Sequence, residues 1–171
     1  MLEKIDFVRN KAGERGLKVL VETGTYRGEM LEAQREHFEK LISIELSEDL
    51  FRAARSRFAA FPHVQLIQGD SGVKLGEATK DLNEPALFWL DAHYSAGITA
   101  GGGKDAPIIK ELSCLSSRNQ SRDMILIDDA RLFGWDFGYP KLKVIREYVA
   151  KHWPRHAFSV ESDIICITPP T

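Results

Sequence analysis

The stretch Val19-Leu-Val-Glu-Thr-Gly-Thr-Tyr-Arg-Gly28 decides how the rest of the chain is arranged. Its apolar start ends in Glu22, the chain turns through Gly24, and a helical pattern follows Gly28. A strand, a tight turn and a helix place backbone N–H groups and the positive end of a helix dipole at the carboxyl edge of a parallel sheet, where open α/β folds hold nucleotides. The Gly-x-x-x-Gly spacing does not match the G-x-G-x-x-G of dinucleotide enzymes. The stretch therefore indicates a nucleotide-like ligand without specifying it.

Length and charge narrow the class of protein. A chain of 171 residues predicts one domain, residues 1–171, with a core that needs no disulfide or metal. Its 23 basic and 25 acidic side chains give a net charge of -2, which favours neither nucleic acid nor an anionic membrane as a partner. The two cysteines form no metal-binding spacing, and the sequence shows no signal peptide or membrane span. We expect a cytoplasmic protein with a small-molecule partner.

Strand and helix patterns alternate along the chain. Apolar runs predict strands at 19–21, 41–44, 64–67, 86–90 and 124–127, and a closing hairpin at 157–160 and 164–167. Helical patterns are predicted at 2–11, 27–39 and 71–80, and after Ser47, Pro107 and Pro140. The fold class is therefore α/β, a Rossmann-like, doubly wound, mostly parallel sheet with a C-terminal antiparallel hairpin.

Each of the five parallel strands is followed by an acid. These acids are Glu22, Glu45, Asp70, Asp91 and Asp128. Because parallel strands point the same way, all five should lie along one edge of the sheet. Their mutual repulsion and desolvation cost stability, so a purely structural protein has no reason to gather them. The acids therefore indicate a functional edge.

These residues resemble the class I S-adenosylmethionine (SAM)-dependent methyltransferases over nearly the whole chain. That family carries Glu/Asp-x-Gly-x-Gly-x-Gly around the methionine part of the cofactor. The matching residues here are Glu22, Gly24, Thr25 and Gly28, with Tyr26 where the middle glycine is usual. The terminal hairpin resembles the antiparallel pair that distinguishes this sheet from the NAD-binding one.

The resemblance also implies how the nucleoside part of the cofactor is held. Glu45 would hydrogen-bond the ribose hydroxyls, and Leu46 would lie beside the adenine. The Gly-Asp that follows the third strand would bracket the adenine through Asp70 and Ser71, and Asp91 would also contact the cofactor. A carboxylate is a good acceptor for a diol, and anions or aromatic faces favour a sulfonium.

Asp91, Asp128 and Asp129 resemble the metal site of the metal-dependent O-methyltransferases. There one Asp ends the fourth strand and an acidic pair ends the fifth. Three carboxylates with water suit Mg²⁺, which would hold substrate oxygens and lower the pKa of the hydroxyl to be methylated. In the alternative, Asp129 bonds a loop backbone and Asp91 contacts only the cofactor or a loop.

Catalytic roles are predicted for Asp91 and for His93, which would act as general base at the mouth of the pocket. A histidine in a loop can instead be a hydrogen-bonding surface group. Arg131 would either bind an anionic substrate group or neutralise the neighbouring acids. The aromatic residues within 133–139 form either a substrate wall or the apolar underside of a loop.

The leading hypothesis is a methyltransferase acting on an oxygen of a small molecule, with SAM as cofactor and Mg²⁺ in an assisting role. Two alternatives stay open, an NAD-dependent oxidoreductase and a non-catalytic cofactor-binding or assembly protein of the same fold. A substrate lid would come from residues 95–104, from 132–139 or from a partner subunit in a homodimer.

Overall fold

The computed structural model describes residues 2–91, 107–118, 121–135 and 138–170. Seven strands lie within these ranges: β1 Val19–Thr23, β2 Lys40–Glu45, β3 Val64–Gln68, β4 Ala86–Leu90, β5 Met124–Ile127, β6 Ala157–Glu161 and β7 Ile164–Thr168. The helices are α1 Leu2–Arg15, α2 Glu29–Gln34, α3 Glu48–Arg57, α4 Ser71–Thr79, α5 Ile108–Ser116 and α6 Leu142–His152, with a 3-10 turn at Ala130–Leu132. None of the helices described is long and apolar enough to cross a lipid bilayer.

The strands form one sheet in the order β3-β2-β1-β4-β5-β7-β6. Strands β1 to β5 pair in parallel, whereas β7 is antiparallel to both β5 and β6. A two-residue turn joins β6 to β7, and its Ser162 and Asp163 both have positive φ, as in the type I′ turns that suit hairpins. The predicted fold class is confirmed, including the C-terminal antiparallel hairpin.

The strand order reverses between β1 and β4, which makes this point the switch point of the sheet. In open α/β sheets, ligands bind outside the carboxyl ends of the strands at such a point. By this rule a ligand is expected where β1 and β4 end, within the stretch Val19–Gly28 and beside it.

Helices cover both faces of the sheet. Leu20, Leu87 and Leu126 pack with buried residues of α1, α2 and α3, whereas Val21 and Phe88 pack with those of α4, α5 and α6. Successive strand side chains alternate between faces, so Glu22 lies on the same side as Leu20. The side of α1 to α3 is therefore the one on which the acids of the edge collect.

Two helices differ in length from the prediction. Helix α1 continues through Gly13 and ends at Gly16, whose φ of 62° is left-handed and lets Leu17 N–H donate to the Ala12 carbonyl. Helix α2 begins only after Gly28 and ends at Gln34, because Phe38 turns inward there and the chain enters β2 at Lys40.

Candidate functional site

Register places Glu45, Gly24, Asp91 and Asp128 at one level, at the ends of β2, β1, β4 and β5. Backbone hydrogen bonds of 2.9 to 3.1 Å continue the three ladders to this level. Neighbouring strands are about 4.8 Å apart, so the backbones of Glu45 and Asp91 are separated by roughly 10 Å across β1. Gly24 lies between them and has no side chain, so the row of side chains at this level has a gap between two carboxylates.

In the loop after β1, every second residue from Gly24 to Gly28 has a left-handed backbone conformation. The φ angles of Gly24, Tyr26 and Gly28 are 82°, 49° and 73°. Tyr26 therefore has a left-handed backbone conformation, which is less strained for glycine than for any residue with a Cβ. Its N–H donates to Glu45 Oε2 at 2.8 Å. Tyr26 thus departs from the glycine pattern in side chain but keeps the backbone shape that a glycine at this place would favour.

Gly28 is required by both conformation and space. A Cβ added to it would lie 2.7 Å from the Phe58 ring, and its φ of 73° is unfavourable for any other residue. Its N–H donates to the Thr25 carbonyl at 2.8 Å and closes the turn. Close packing between this turn and the end of α3 therefore fixes the shape of the loop.

Glu45 organises the loops on both sides of the gap. Its Oε2 accepts the Tyr26 N–H and its Oε1 accepts the Ser47 N–H, at 2.8 and 2.9 Å. Each carboxylate oxygen has a second acceptor site, so a diol could still donate to this group. Leu46, beside it, is 44% exposed although it is apolar. This pair could therefore hold a ribose and an adenine; that role stays a prediction.

Glu22 is buried below the gap. Ser43 Oγ donates to Glu22 Oε2 at 2.6 Å, and Thr25 Oγ1 lies 2.6 Å from the same Ser43 hydroxyl. Burial raises the pKa of Glu22 to about 8, because the Ser43 hydrogen bond only partly opposes it and the charges of Asp91 and Glu45 add to it. In this structure Glu22 is therefore a carboxyl that holds its proton at neutral pH.

Asp70 and Ser71 begin α4 beyond the end of β3. Asp70 caps the helix by accepting the Gly72 N–H at 2.8 Å, and Ser71 is buried. Gly69, with φ 141°, donates its N–H to the Glu45 carbonyl at 2.8 Å. The Gly-Asp-Ser segment is thereby held next to Glu45, on the side where an adenine is predicted.

Glu111, on α5, is a buried carboxyl that the sequence analysis did not identify. Burial raises its pKa to about 7, and the nearby Ser71 hydroxyl only partly opposes this. The Thr23 hydroxyl also lies close, yet Thr23 Oγ1 and Glu111 Oε1 have no partner of good hydrogen-bond geometry in the described part of the chain. An acid between Ile108 and Leu112, on the apolar stripe of α5, was the available signal.

Asp128 and Asp129 follow β5 and are held by two basic side chains. Lys4 Nζ donates to Asp128 Oδ1 at 2.5 Å and to Asp129 Oδ1 at 2.9 Å, and Arg131 donates to Asp129 Oδ1 at 2.7 Å. Arg131 also bonds Asp163. Arg131 thus pairs with one of the two neighbouring acids, Asp129, which agrees with the neutralising role among its two predicted roles. Lys4 was not identified from the sequence, since 124 residues separate it from Asp128.

The metal prediction at Asp91, Asp128 and Asp129 receives no support from this arrangement. No group of three His, Cys, Asp or Glu side chains within the described ranges is placed to hold a metal ion. Burial raises the pKa of Asp128, and the Lys4 hydrogen bond only partly opposes this. The three-carboxylate metal site stays a prediction.

His93 and the predicted lid at 95–104 lie outside the described residues, so the proposed base stays a prediction. Asp91, the last described residue before them, donates its N–H to the Thr23 carbonyl at 3.1 Å. Within 133–139, Phe133 is buried and its ring meets Tyr139 at 5.2 Å, whereas Trp135 is 90% exposed. Phe133 and Tyr139 therefore pack against the core.

This sheet order and its crevice define a class: the chain has the fold of the class I SAM-dependent methyltransferases. Solved structures show the same fold. A methyltransferase from Podospora anserina, in a structure with bound SAH, has a TM-score of 0.68 and 16% identity, covering 98% of this chain and 78% of its own. The O-methyltransferase TomG from Streptomyces achromogenes, which takes part in tomaymycin synthesis and was solved with SAM, has a TM-score of 0.67 and 13% identity, covering 98% and 80%.

The N-methyltransferase NodS from Bradyrhizobium japonicum is also similar, with a TM-score of 0.65 and 12% identity, covering 99% of this chain and 96% of its own. No protein-family model matches the sequence, and no curated protein matches it significantly. The similarity therefore establishes the fold, and O- and N-methyltransferases share it. The antiparallel β7 beside β5 disfavours the NAD-dependent alternative, because in the usual dinucleotide-binding sheet, of order 3-2-1-4-5-6, a sixth strand follows β5 at this place.

Proposed function

We propose that this protein is a SAM-dependent methyltransferase that methylates an oxygen of a small molecule. The observation that carries the proposal is the gap above Gly24, flanked by Glu45 and Asp91 at the switch point of a methyltransferase sheet. The side chains on both sides of the gap are carboxylates, and the loop that begins at Gly24 has positive φ at Gly24, Tyr26 and Gly28. These features suit a ligand with a diol and a positive charge.

In this proposal the cofactor lies across the ends of β2, β1 and β4. The ribose hydroxyls donate to Glu45, and the adenine lies on Leu46 between it and the Asp70-Ser71 segment. The sulfonium and the ammonium of the methionine part would lie near Asp91, whose carboxylate favours positive charge, and above the buried Glu22. Thr25, Tyr26 and Gly28 shape the loop around that part.

The reaction is an in-line displacement. The acceptor oxygen bonds to the methyl carbon, the carbon–sulfur bond breaks with its electron pair going to sulfur, and SAH leaves. The acceptor proton passes to a base, for which His93 is the candidate. The sulfonium loses its charge on the way, so carboxylates beside it serve mainly to bind SAM, and alignment of donor and acceptor supplies most of the rate gain.

The acceptor atom is the finer part of the proposal. O-methyltransferases are among the similar structures, but so is an N-methyltransferase. Three other predictions from the sequence are likewise untested: a Mg²⁺ ion, a cytoplasmic location and a homodimer that completes a lid.

Ligand binding tests the proposal directly. We expect saturating SAH to raise the melting temperature, as a ligand that binds only the folded chain must, and NAD to leave it unchanged. Glu45→Gln should weaken SAH binding by about 10-fold to 100-fold, because a charged hydrogen-bond acceptor is lost. Glu39→Gln is the matched control, since Glu39 lies exposed at the opposite end of β2.

Methyl transfer is then measured with labelled SAM and a panel of phenols, sugars and amines. Transfer to a hydroxyl acceptor supports the O-methyltransferase, and transfer to amines alone would correct the acceptor atom. A chain that binds SAH but methylates no member of the panel would favour the non-catalytic alternative. Stabilisation by NAD and not by SAH would overturn the proposal altogether.

A further inference from the structure

The Lys4 ammonium lies at the Asp128–Asp129 pair. This pair resembles the place at which metal-dependent O-methyltransferases hold a divalent ion. The two bonds of the ammonium, at 2.5 Å to Asp128 Oδ1 and 2.9 Å to Asp129 Oδ1, join both members of the acid pair. The Lys4 side chain is 23% exposed, and the two acids are nearly buried. The contact is therefore largely withdrawn from solvent, unlike an ordinary surface ion pair.

Helix α1 fixes the position of this ammonium. The neighbouring Ile5 is buried, and its carbonyl accepts a hydrogen bond from Gln34 Nε2 of α2 at 2.7 Å. Val8, one turn further along, is also buried. Because the first turns of α1 are anchored, Lys4 is held over the end of β5.

A divalent ion bound by the oxygen atoms that accept from Lys4 would lie next to the ammonium. Mg²⁺ binds carboxylate oxygens at about 2.0–2.1 Å, so an ion on Asp128 Oδ1 would lie within about 4.6 Å of Lys4 Nζ. Two cations at that distance in a nearly buried place repel each other strongly. The acid pair can therefore hold the ammonium or the ion, but not both in this arrangement.

We propose that the Lys4 ammonium takes the place of a divalent metal ion at the Asp128–Asp129 pair. The part of the site that would bind the methyl acceptor, the acceptor side, is then stabilised without Mg²⁺. The inference rests on the proposed function for the identity of the acceptor side. It also has a consequence for charge. Lys4 and Arg131 bring two positive charges to the three carboxylates that they bond, Asp128, Asp129 and Asp163, so this cluster keeps one formal negative charge.

Mn²⁺ binding tests this inference without any methyl transfer. Free Mn²⁺ is followed by electron paramagnetic resonance during titration of the wild type, Lys4→Met and Lys4→Gln. Lys11→Met is the matched control, because Lys11 belongs to the same helix and pairs with Glu161 at 2.9 Å with similar exposure. Lys4→Gln keeps a hydrogen-bond donor on a long stem, in case the methionine variant does not fold.

We expect no saturable site in the wild type or in Lys11→Met at millimolar Mn²⁺. The Lys4 variants should gain one site with Kd of about 10⁻³ to 10⁻⁴ M, in the weak range of oxygen-ligand sites. Wild-type binding as tight as in the variants would overturn the inference, and so would a folded Lys4 variant with no gain. SAH binding is measured on the same samples, so that failure of the proposed function would show separately.

Discussion

Replacing Glu22 by glutamine should make the free energy of unfolding less dependent on pH, because the folded wild type takes up a proton at Glu22 near neutral pH. The pKa of Glu22 is raised from 4.5 to about 8 in the folded chain, mainly by burial. The folded state therefore holds a proton that the unfolded state releases between these two values. The stability due to this group is complete below about pH 4.5 and is lost as the pH rises towards 8.

The size of the effect follows from linkage. One proton bound only by the folded state makes the free energy of unfolding fall by about 1.4 kcal/mol per pH unit. Between pH 5 and pH 7.5 the wild type should show this slope in addition to any slope from other groups, such as Glu111. Glu22→Gln has nearly the same shape and no charge, so it should lose this part of the slope and become the more stable protein near pH 8.

Urea denaturation at half-unit pH intervals and constant ionic strength measures both slopes. Glu39→Gln, which changes an exposed carboxyl, is the control and should follow the wild type. If Glu22→Gln has the same slope as the wild type, Glu22 is already ionised in the folded chain and the argument from burial is wrong. The ligand gives a second measurement: a cationic cofactor should displace the proton, so SAM affinity should rise by up to about tenfold per pH unit towards pH 8 in the wild type alone.

Two further predictions concern the loop after β1. The free energy of unfolding should be about 1 kcal/mol higher for Tyr26→Gly than for Tyr26→Ala, because both variants lose the ring and only glycine relieves the strain of the positive φ. Equal free energies from urea denaturation would contradict the strain argument. Gly28→Ala should cost about 2–4 kcal/mol, since its Cβ would meet the Phe58 ring at 2.7 Å in a left-handed conformation. Gly13→Ala, inside α1 with no atom within 4 Å of the added Cβ, should instead stabilise the protein by about 0.5–1 kcal/mol, and a similar loss in both variants would refute the packing argument.

The sequence predicted the fold well because the deciding signals were local. Largely apolar runs of three to five residues separated by helical patterns identify the parallel strands, and a short polar turn between two apolar runs identifies a hairpin. The end of α2 was predicted five residues too late. The helix ends where it does because Phe38 packs into the core and β2 pairs with β1. Both are tertiary contacts, which cannot be predicted from the spacing of apolar residues.

The site was predicted less evenly. Glu45, Asp91 and Asp128 each directly follow an apolar run, so a common edge for these acids could be expected from the sequence, whereas their common level depends on the register in which the strands pair. The partners of those acids could not be expected. Lys4 reaches the acid pair across most of the chain, and Ser43 meets Glu22 only because β1 and β2 pair in that register.

The five acids that the sequence presented as one group have different partners in the structure. Glu45 gives one acceptor site on each oxygen to a backbone N–H, Glu22 holds a proton, and the Asp128–Asp129 pair is bridged by Lys4. Five unpartnered carboxylates along one edge would repel each other and destabilise the sheet. Because backbone donors, a proton and an ammonium reduce that repulsion, the edge can remain folded before a ligand arrives. A cationic cofactor then has less negative charge to meet than the sequence implies, and its affinity should depend on pH through the group that can release its proton.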